Sequence, residues 1–180
     1  MPSEFKTLSS KVVYENKWMR VREDAIERPS GQQGIYSVME KPDFTVVIPV
    51  QDGYVYMVEQ YRYPVEKRQL EFPQGTWEEE GDADPAELAA GELQEETGLL
   101  AKSWTHVGYQ YLAYGFCNQG YHIWIATDFT MTEQNLDAEE EGLTCHRILL
   151  SELDEKIING EILDATTCNA LGLARMKGLI

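Results

Sequence analysis

The chain has 180 residues, 31 of them acidic and 15 basic, for a formal net charge of −16. A hydrophobic content of 43% with 11% aromatics is enough to build one core with a small appendage, which excludes a disordered chain despite the charge. A surface this acidic repels phosphodiester backbones and excludes non-specific nucleic-acid binding, so the question is whether the charge is a diffuse coat or is partly gathered into a metal site.

The N-terminal MPSEFKTLSSKVVYENK has no secretory apolar run, and no stretch reaches the apolar length that spans a bilayer, so a cytoplasmic protein without a membrane partner is expected. Residues 18–28 and 35–39 alternate in part between apolar and charged positions around Pro29-Ser30-Gly31, which predicts an antiparallel hairpin in an N-terminal region of residues 1–42. The main domain is expected over residues 43–180. It opens with two β-rich runs, Phe44 to Val50 and Tyr54 to Tyr61, joined by the strong hairpin signal Asp52-Gly53. Thr105 to Tyr114 and Tyr121 to Phe129 read as further strands, residues 131–142 as an acidic loop, and Thr144 to Leu150 as another strand. Helices are expected over Ser151 to Asn159 and Ala165 to Lys177, each followed by glycine. Strands around single helices predict an α/β or α+β sandwich rather than a bundle.

Cys117, Cys145 and Cys168 are scattered and odd in number, so free thiols are expected. His106, His122 and His146 each stand alone, without metal-ligand spacing, and read as structural.

Residues 70–100 carry the chemistry. Asp84 and Pro85 form a helix start, with a capping carboxylate and a proline at the first helical position, and Thr97-Gly98 supplies the stop. At about 100° per residue, Glu92, Glu95 and Glu96 can share one flank of this helix while Leu88, Ala89 and Leu93 hold it to a sheet. No basic residue lies between Glu78 and Glu96. Like charges at this spacing repel by a few tenths of a kcal/mol per pair, roughly, so a compensating group is expected. A hard divalent cation such as Mg²⁺ or Mn²⁺ suits oxygen ligands, and the alternative is a solvated acidic face. Gly91, inside the helix, costs about 1 kcal/mol relative to alanine and points to a packing need or a close backbone approach.

GELQEETGLL, preceded by Phe72-Pro73-Gln74-Gly75 and an acidic loop, resembles the Nudix box, G-x5-E-x7-R-E-U-x-E-E-x-G-U with U aliphatic. Glu92, Leu93, Glu95, Glu96, Gly98 and Leu99 fill its last part. Gly91 stands where the family has arginine, and Gly75 lies two residues further upstream than the pattern, which implies an insertion within TWEEEGDADP. Gln60-Tyr61-Arg62, Leu70 to Gly75, and Gly115 to Gln119 with His122 extend the similarity to the ADP-ribose and nucleotide-sugar pyrophosphatase branch, with Tyr114 and Gln119 replacing a proline and a glutamate.

The resemblance implies a Nudix fold, an α/β/α sandwich with a mixed central sheet, behind an N-terminal antiparallel β hairpin that serves a homodimer. It implies hydrolysis of a nucleoside diphosphate sugar such as ADP-ribose or GDP-mannose, with Mg²⁺, or Mn²⁺, as cofactor. Its metal ligands would be Glu92, Glu95, Glu96 and the carbonyl of Gln74. The resemblance allows a general base from the box or from the loop run Glu139-Glu140-Glu141, of which Glu140 or Glu141 could instead ligate a metal, and the alternative reading of that run is a solvated charge patch. Arg62 is the candidate phosphate clamp, since guanidinium binds phosphate oxygens in a fork, and its alternative is a salt bridge. Trp18, Tyr61 and Tyr114 are candidates to stack on a base. A non-catalytic nucleotide sensor is the competing reading, resting on the missing arginine. Hydrolysis of RNA ends is disfavoured by the acidic surface.

Overall fold

The computed structural model describes residues 4–76 and 84–180. They form two compact units, the first running up to Asp43 together with Tyr111–Gly120, the second comprising Phe44–Gln110 and Tyr121–Ile180.

The first unit holds an antiparallel sheet of β1 (Lys6–Glu15), β2 (Arg20–Glu27) and β3 (Gln33–Glu40), in that order. The expected hairpin is therefore the inner part of a three-stranded sheet. The added strand, β1, left no mark in the hydrophobic pattern because all ten of its residues are exposed, so neither face was selected for burial. The segment after Tyr111 docks on the end of β3 through backbone bonds from the Met39 N–H to the Phe116 carbonyl (2.8 Å) and from the Asn118 N–H to the Met39 carbonyl (3.1 Å).

The second unit is built on a mixed sheet of order β10-β5-β4-β9-β8, formed by β4 (Phe44–Gln51), β5 (Tyr54–Arg62), β8 (Leu99–Tyr111), β9 (Gly120–Met131) and β10 (Thr144–Leu149). Strands β4 and β9 run parallel, whereas β5 pairs antiparallel with β4 and β10. Asp52-Gly53 makes the tight turn between β4 and β5 with φ values of 54° and 78°. Beyond that turn the two strands share only the pairs Val50 with Val55 and Gln51 with Tyr54. Two short strands that the sequence did not reveal then take over, β6 (Lys67–Glu71) along β5 and β7 (Gln74–Gly75) along β4. Phe72 and Pro73 bridge them, with the Pro73 carbonyl accepting from the Val47 N–H at 2.9 Å.

Helices α1 (Pro85–Thr97), α2 (Leu150–Ile158) and α3 (Ala165–Met176) cover this sheet. Alternation along β4 sorts the layers. Val47 packs with Ala89 and Leu93 of α1, while Val46 and Ile48 pack with Leu153 of α2 and Ala170 and Leu171 of α3. This is the α/β/α sandwich with a mixed sheet that the sequence implied. Each fully buried aliphatic side chain in these layers stabilises by about 1.5–3 kcal/mol.

Helix α1 begins and ends where its caps predicted. The Asp84 carboxylate accepts from the Ala86 N–H at 2.8 Å, and Gly98 closes the helix at φ 70° with its N–H on the Gln94 carbonyl. Asp164 caps α3 the same way, accepting from the Thr166 and Thr167 N–H groups. The Thr167 hydroxyl in turn accepts from the buried Phe72 N–H at 2.9 Å, which ties the start of α3 to the chain just before Gln74. All three cysteines are free thiols.

Candidate active site

Two turns of α1 supply the centre of the site. Glu92 and Glu96 face inward, 6% and 1% exposed, although both are carboxylates. Glu96 is held by the Gln74 N–H, which donates to its Oε2 at 3.0 Å. Glu92 lies against Gly75 so closely that a Cβ on Gly75 would sit 2.3 Å from Glu92 Oε2 and 2.6 Å from its Cδ. The third member arrives on the loop before β10. Glu140 closes a short 3-10 turn, Ala138–Glu140, that Asp137 caps reciprocally, the Asp137 N–H donating to Glu140 Oε2 at 3.0 Å. One carboxylate oxygen each from Glu92, Glu96 and Glu140 lies within 4.8 Å of the others, and among the described residues no other group of three acidic, histidine or cysteine side chains gathers this closely.

The electrostatics follow from that crowding. Burial, with repulsion from Glu95, Glu140 and Asp137 added to it, pushes the Glu92 carboxyl up to about 8. Glu96 rises well above the ordinary carboxylate range through burial and then the charges of Glu92 and Glu140, against which the Gln74 N–H works. Partial burial also raises Glu140, offset by the Asp137 N–H and by the Arg62 charge. Among the described residues, no basic side chain is a cause that lowers the Glu92 or the Glu96 carboxyl. Three crowded oxygen donors of one sign fit a hard divalent cation.

The remaining expected residues are placed as follows. Glu95 is half-exposed on α1 beside the three, its carboxyl raised by partial burial and by Asp137 and Glu140, and it is not one of the close group. Glu141 is exposed, immediately after the capped turn, and stands outside the group too. Arg62, 39% exposed, is paired with Glu71, its Nη2 at 2.6 Å from one carboxylate oxygen and its Nε donating to the other at 3.3 Å. Tyr61 is exposed in the second unit, and Trp18 and Tyr114 are exposed in the first, with the Lys17 ammonium 4.2 Å over the Trp18 ring. The insertion expected within TWEEEGDADP falls largely on residues 77–83, outside the described residues.

Sequence reasoning missed two supporting groups. Glu71 is buried, and its carboxyl stays raised by that burial although Arg62 and the Gln60 amide both bind it. Asp137 was readable, since Asp137 followed three residues later by Glu140 is a capping-box pattern. The histidines also behave differently from three isolated residues. His106 on β8 and His122 on β9 approach to 3.3 Å between ring nitrogens, beside Trp124.

Comparison with known proteins agrees with this geometry. A model described as the NUDIX domain matches residues 39–164, and one described as the nucleoside diphosphate sugar hydrolase N-terminal domain matches residues 5–39. The chain is 27% identical over 176 residues to the ADP-ribose pyrophosphatase of Bacillus subtilis (strain 168), covering 97% of this chain and 94% of that protein. It is 29% identical over 177 residues to the methanol dehydrogenase activator of Bacillus methanolicus, again covering 97% and 94%. The ADP-ribose pyrophosphatase of Mycobacterium tuberculosis (strain ATCC 25618 / H37Rv) is 27% identical over 164 residues, 90% of this chain and 79% of that one. A crystal structure of an ADP compounds hydrolase superposes with a TM-score of 0.84 at 22% identity, covering 99% and 98% of the two chains, and so shares the fold. With a matching domain model over most of its length and the glutamates of the box helix gathered as described, the chain belongs to the Nudix family.

Proposed function

We propose that this protein is a divalent-metal-dependent Nudix pyrophosphatase that hydrolyses ADP-ribose or a related nucleoside diphosphate sugar to a nucleoside monophosphate and a sugar phosphate, with Mg²⁺ as the working ion and Mn²⁺ as a substitute. The observation that carries this reading is the convergence of Glu92, Glu96 and Glu140, in a chain whose N-terminal part matches a nucleoside diphosphate sugar hydrolase domain.

Glu92, Glu96 and Glu140, with the Gln74 carbonyl, would hold the cation. When bound, it neutralises diphosphate charge and lowers the pKa of an attacking water. Glu95, half-exposed, and Glu141, exposed, are the carboxylates left to take the water's proton. Arg62 clamps a phosphate oxygen, its guanidinium plane fixed from behind by Glu71. Tyr61, Trp18 and Tyr114 present exposed rings on which a base can stack. The N-terminal unit, residues 1–42 in the sequence reading, serves a homodimer and contributes to substrate contacts. Its outer strand offers Leu8, Val12, Val13 and Tyr14 to a second copy, each more than 40% exposed. Three separate free thiols support a cytoplasmic location.

The direct test is incubation with Mg²⁺ and a panel of ADP-ribose, GDP-mannose, UDP-glucose and ADP-glucose. At least one is expected to yield monophosphate and sugar phosphate. A folded, metal-loaded protein that turns over none of them would be a nucleotide sensor instead.

The metal should also reveal itself through pH. With its folded value raised from 4.5 to about 8, Glu92 costs the metal-free protein stability as pH climbs through that window, and cation binding offsets the cost. Binding must displace the retained proton, so Mg²⁺ affinity is expected to fall about tenfold per pH unit below that value for each proton released. Calorimetric titration at pH 6, 7 and 8 in buffers of different ionisation enthalpy reads both affinity and protons, and a pH-independent affinity would remove Glu92 from the ligand set.

A further inference from the structure

The loop that delivers Glu140 is fastened at two ends. At its front, the Asn135 N–H donates to the Glu95 carbonyl, the Gln134 amide to the Glu96 carbonyl, and the Thr132 N–H to the Gly98 carbonyl. These bonds take up carbonyls at the C-terminal end of α1, which have no partner within the helix. At its rear, Arg68 of β6 donates from one Nη2 to both the Gly142 carbonyl (2.9 Å) and the Glu59 carbonyl (2.8 Å), and from Nε to the Glu59 carboxylate (2.7 Å). The other Glu59 oxygen lies 3.3 Å from His146 Nε2 on β10, so the anchor point is itself held from both neighbouring strands.

The charge pattern gives this rear fastening a task. The loop brings Asp137 and Glu140 toward Glu92, Glu95 and Glu96, so ionising this group, as cation binding requires, crowds like charges against the loop. The front bonds hold the strand entering the loop, eight residues ahead of Glu140 at Thr132 and five at Asn135. Only Glu141 separates Glu140 from Gly142, whose positive φ of 83° turns the chain toward Leu143, itself buried and bonded through its N–H to the Glu140 carbonyl. Arg68 touches none of the five carboxylates through a hydrogen bond, and its planar fork spans three oxygens that an ammonium cannot hold together.

We propose that Arg68 is a positioning residue for the pyrophosphatase site, the rear tether that keeps Glu140 within reach of Glu92 and Glu96 and thereby sets the metal concentration at which the enzyme works. The proposal rests on Glu140 being a metal ligand. Loss of the tether therefore raises the metal requirement rather than abolishing the chemistry.

Arg68→Ala is expected to raise the Mg²⁺ concentration for half-maximal activity about tenfold, with kcat at saturating Mg²⁺ within about threefold of wild type. Arg68→Lys should fall between the two. Hydrogen exchange in peptides covering residues 132–143 should quicken in Arg68→Ala while exchange in residues 6–40 is unchanged. The decisive comparison is a double-mutant cycle with Glu140→Gln. If Arg68 acts through Glu140, its substitution adds nothing to the metal requirement of Glu140→Gln. Full additivity, or a lowered kcat at saturating metal with unchanged loop exchange, overturns the tether. A Glu140→Gln enzyme with wild-type metal dependence instead overturns the ligand assignment beneath it, so the two failures are told apart.

Discussion

Replacing Glu96 by glutamine is expected to lower kcat/KM by roughly 10²- to 10³-fold while leaving the protein folded, the magnitude that follows when one charged group stabilising a transition state is removed. The side chain is 1% exposed, so the isosteric change avoids a cavity, and the amide oxygen can still accept from the Gln74 N–H. What disappears is a negative charge that the folded protein tolerates poorly. Burial raises this carboxyl well above its ordinary range, with Glu92 and Glu140 repelling it further. At pH 8 the metal-free variant should therefore melt at or above the wild-type temperature, and the upward shift that Mg²⁺ gives the wild type should largely vanish. Thermal melts with and without Mg²⁺, beside steady-state kinetics, read both effects. A variant that keeps full activity and a full Mg²⁺ shift would show that Glu96 is a buried structural acid.

The second large effect is expected at a residue with no functional side chain. Gly75→Ala places a methyl carbon 2.3 Å, 2.6 Å and 2.7 Å from the Oε2, Cδ and Oε1 atoms of Glu92. The whole carboxylate stands in the way, and turning one oxygen aside does not relieve it. Gly75 is paired with Thr45 of β4, so the buried end of the Glu92 side chain is the part that gives way first. Glu92 must leave the cluster or the short strand must lift. We expect about 1–3 kcal/mol of destabilisation from the overpacking and roughly 10²-fold lower activity, with weakened metal binding. Adding Glu92→Ala to Gly75→Ala should recover the stability and none of the activity. If Gly75→Ala were as active as wild type, Gly75 and Glu92 would not be the close pair described.

The helix that carries the glutamates was legible because its signals are local. Asp84-Pro85 and Thr97-Gly98 act within a turn of the residues they stop and start, and the 3.6-residue period places Glu92 and Glu96 together. The same locality explains the Asp52-Gly53 hairpin and the two C-terminal helices. Legibility failed where burial supplies no period. Strand β1 is exposed along its whole length, while β6 and β7 are short segments whose existence depends on β4 and β5 moving apart. Strand β8 begins at Leu99, earlier than expected, because Gly98 turns the helix directly into it. Within the site, the acidic run of residues 139–141 is plain in the sequence, and the signal that selects Glu140 from it is the capping-box spacing from Asp137, which a reading by charge alone passes over. The pairing of Arg62 with Glu71 joins residues nine apart across a β5/β6 ladder that the sequence did not predict.

The bond from the Phe72 N–H to the Thr167 hydroxyl also bears on the order in which the site is made during translation. The box helix and the Glu140 loop leave the ribosome before α3, yet the chain leading into Gln74 lacks its buried partner until residues 164–167 have emerged and capped that helix. Until then Phe72 lacks the bond that ties it to α3, although Glu92, Glu96 and Glu140 have already been made. Folding of α3 is then coupled, through this one bond, to the segment that presents the Gln74 N–H to Glu96.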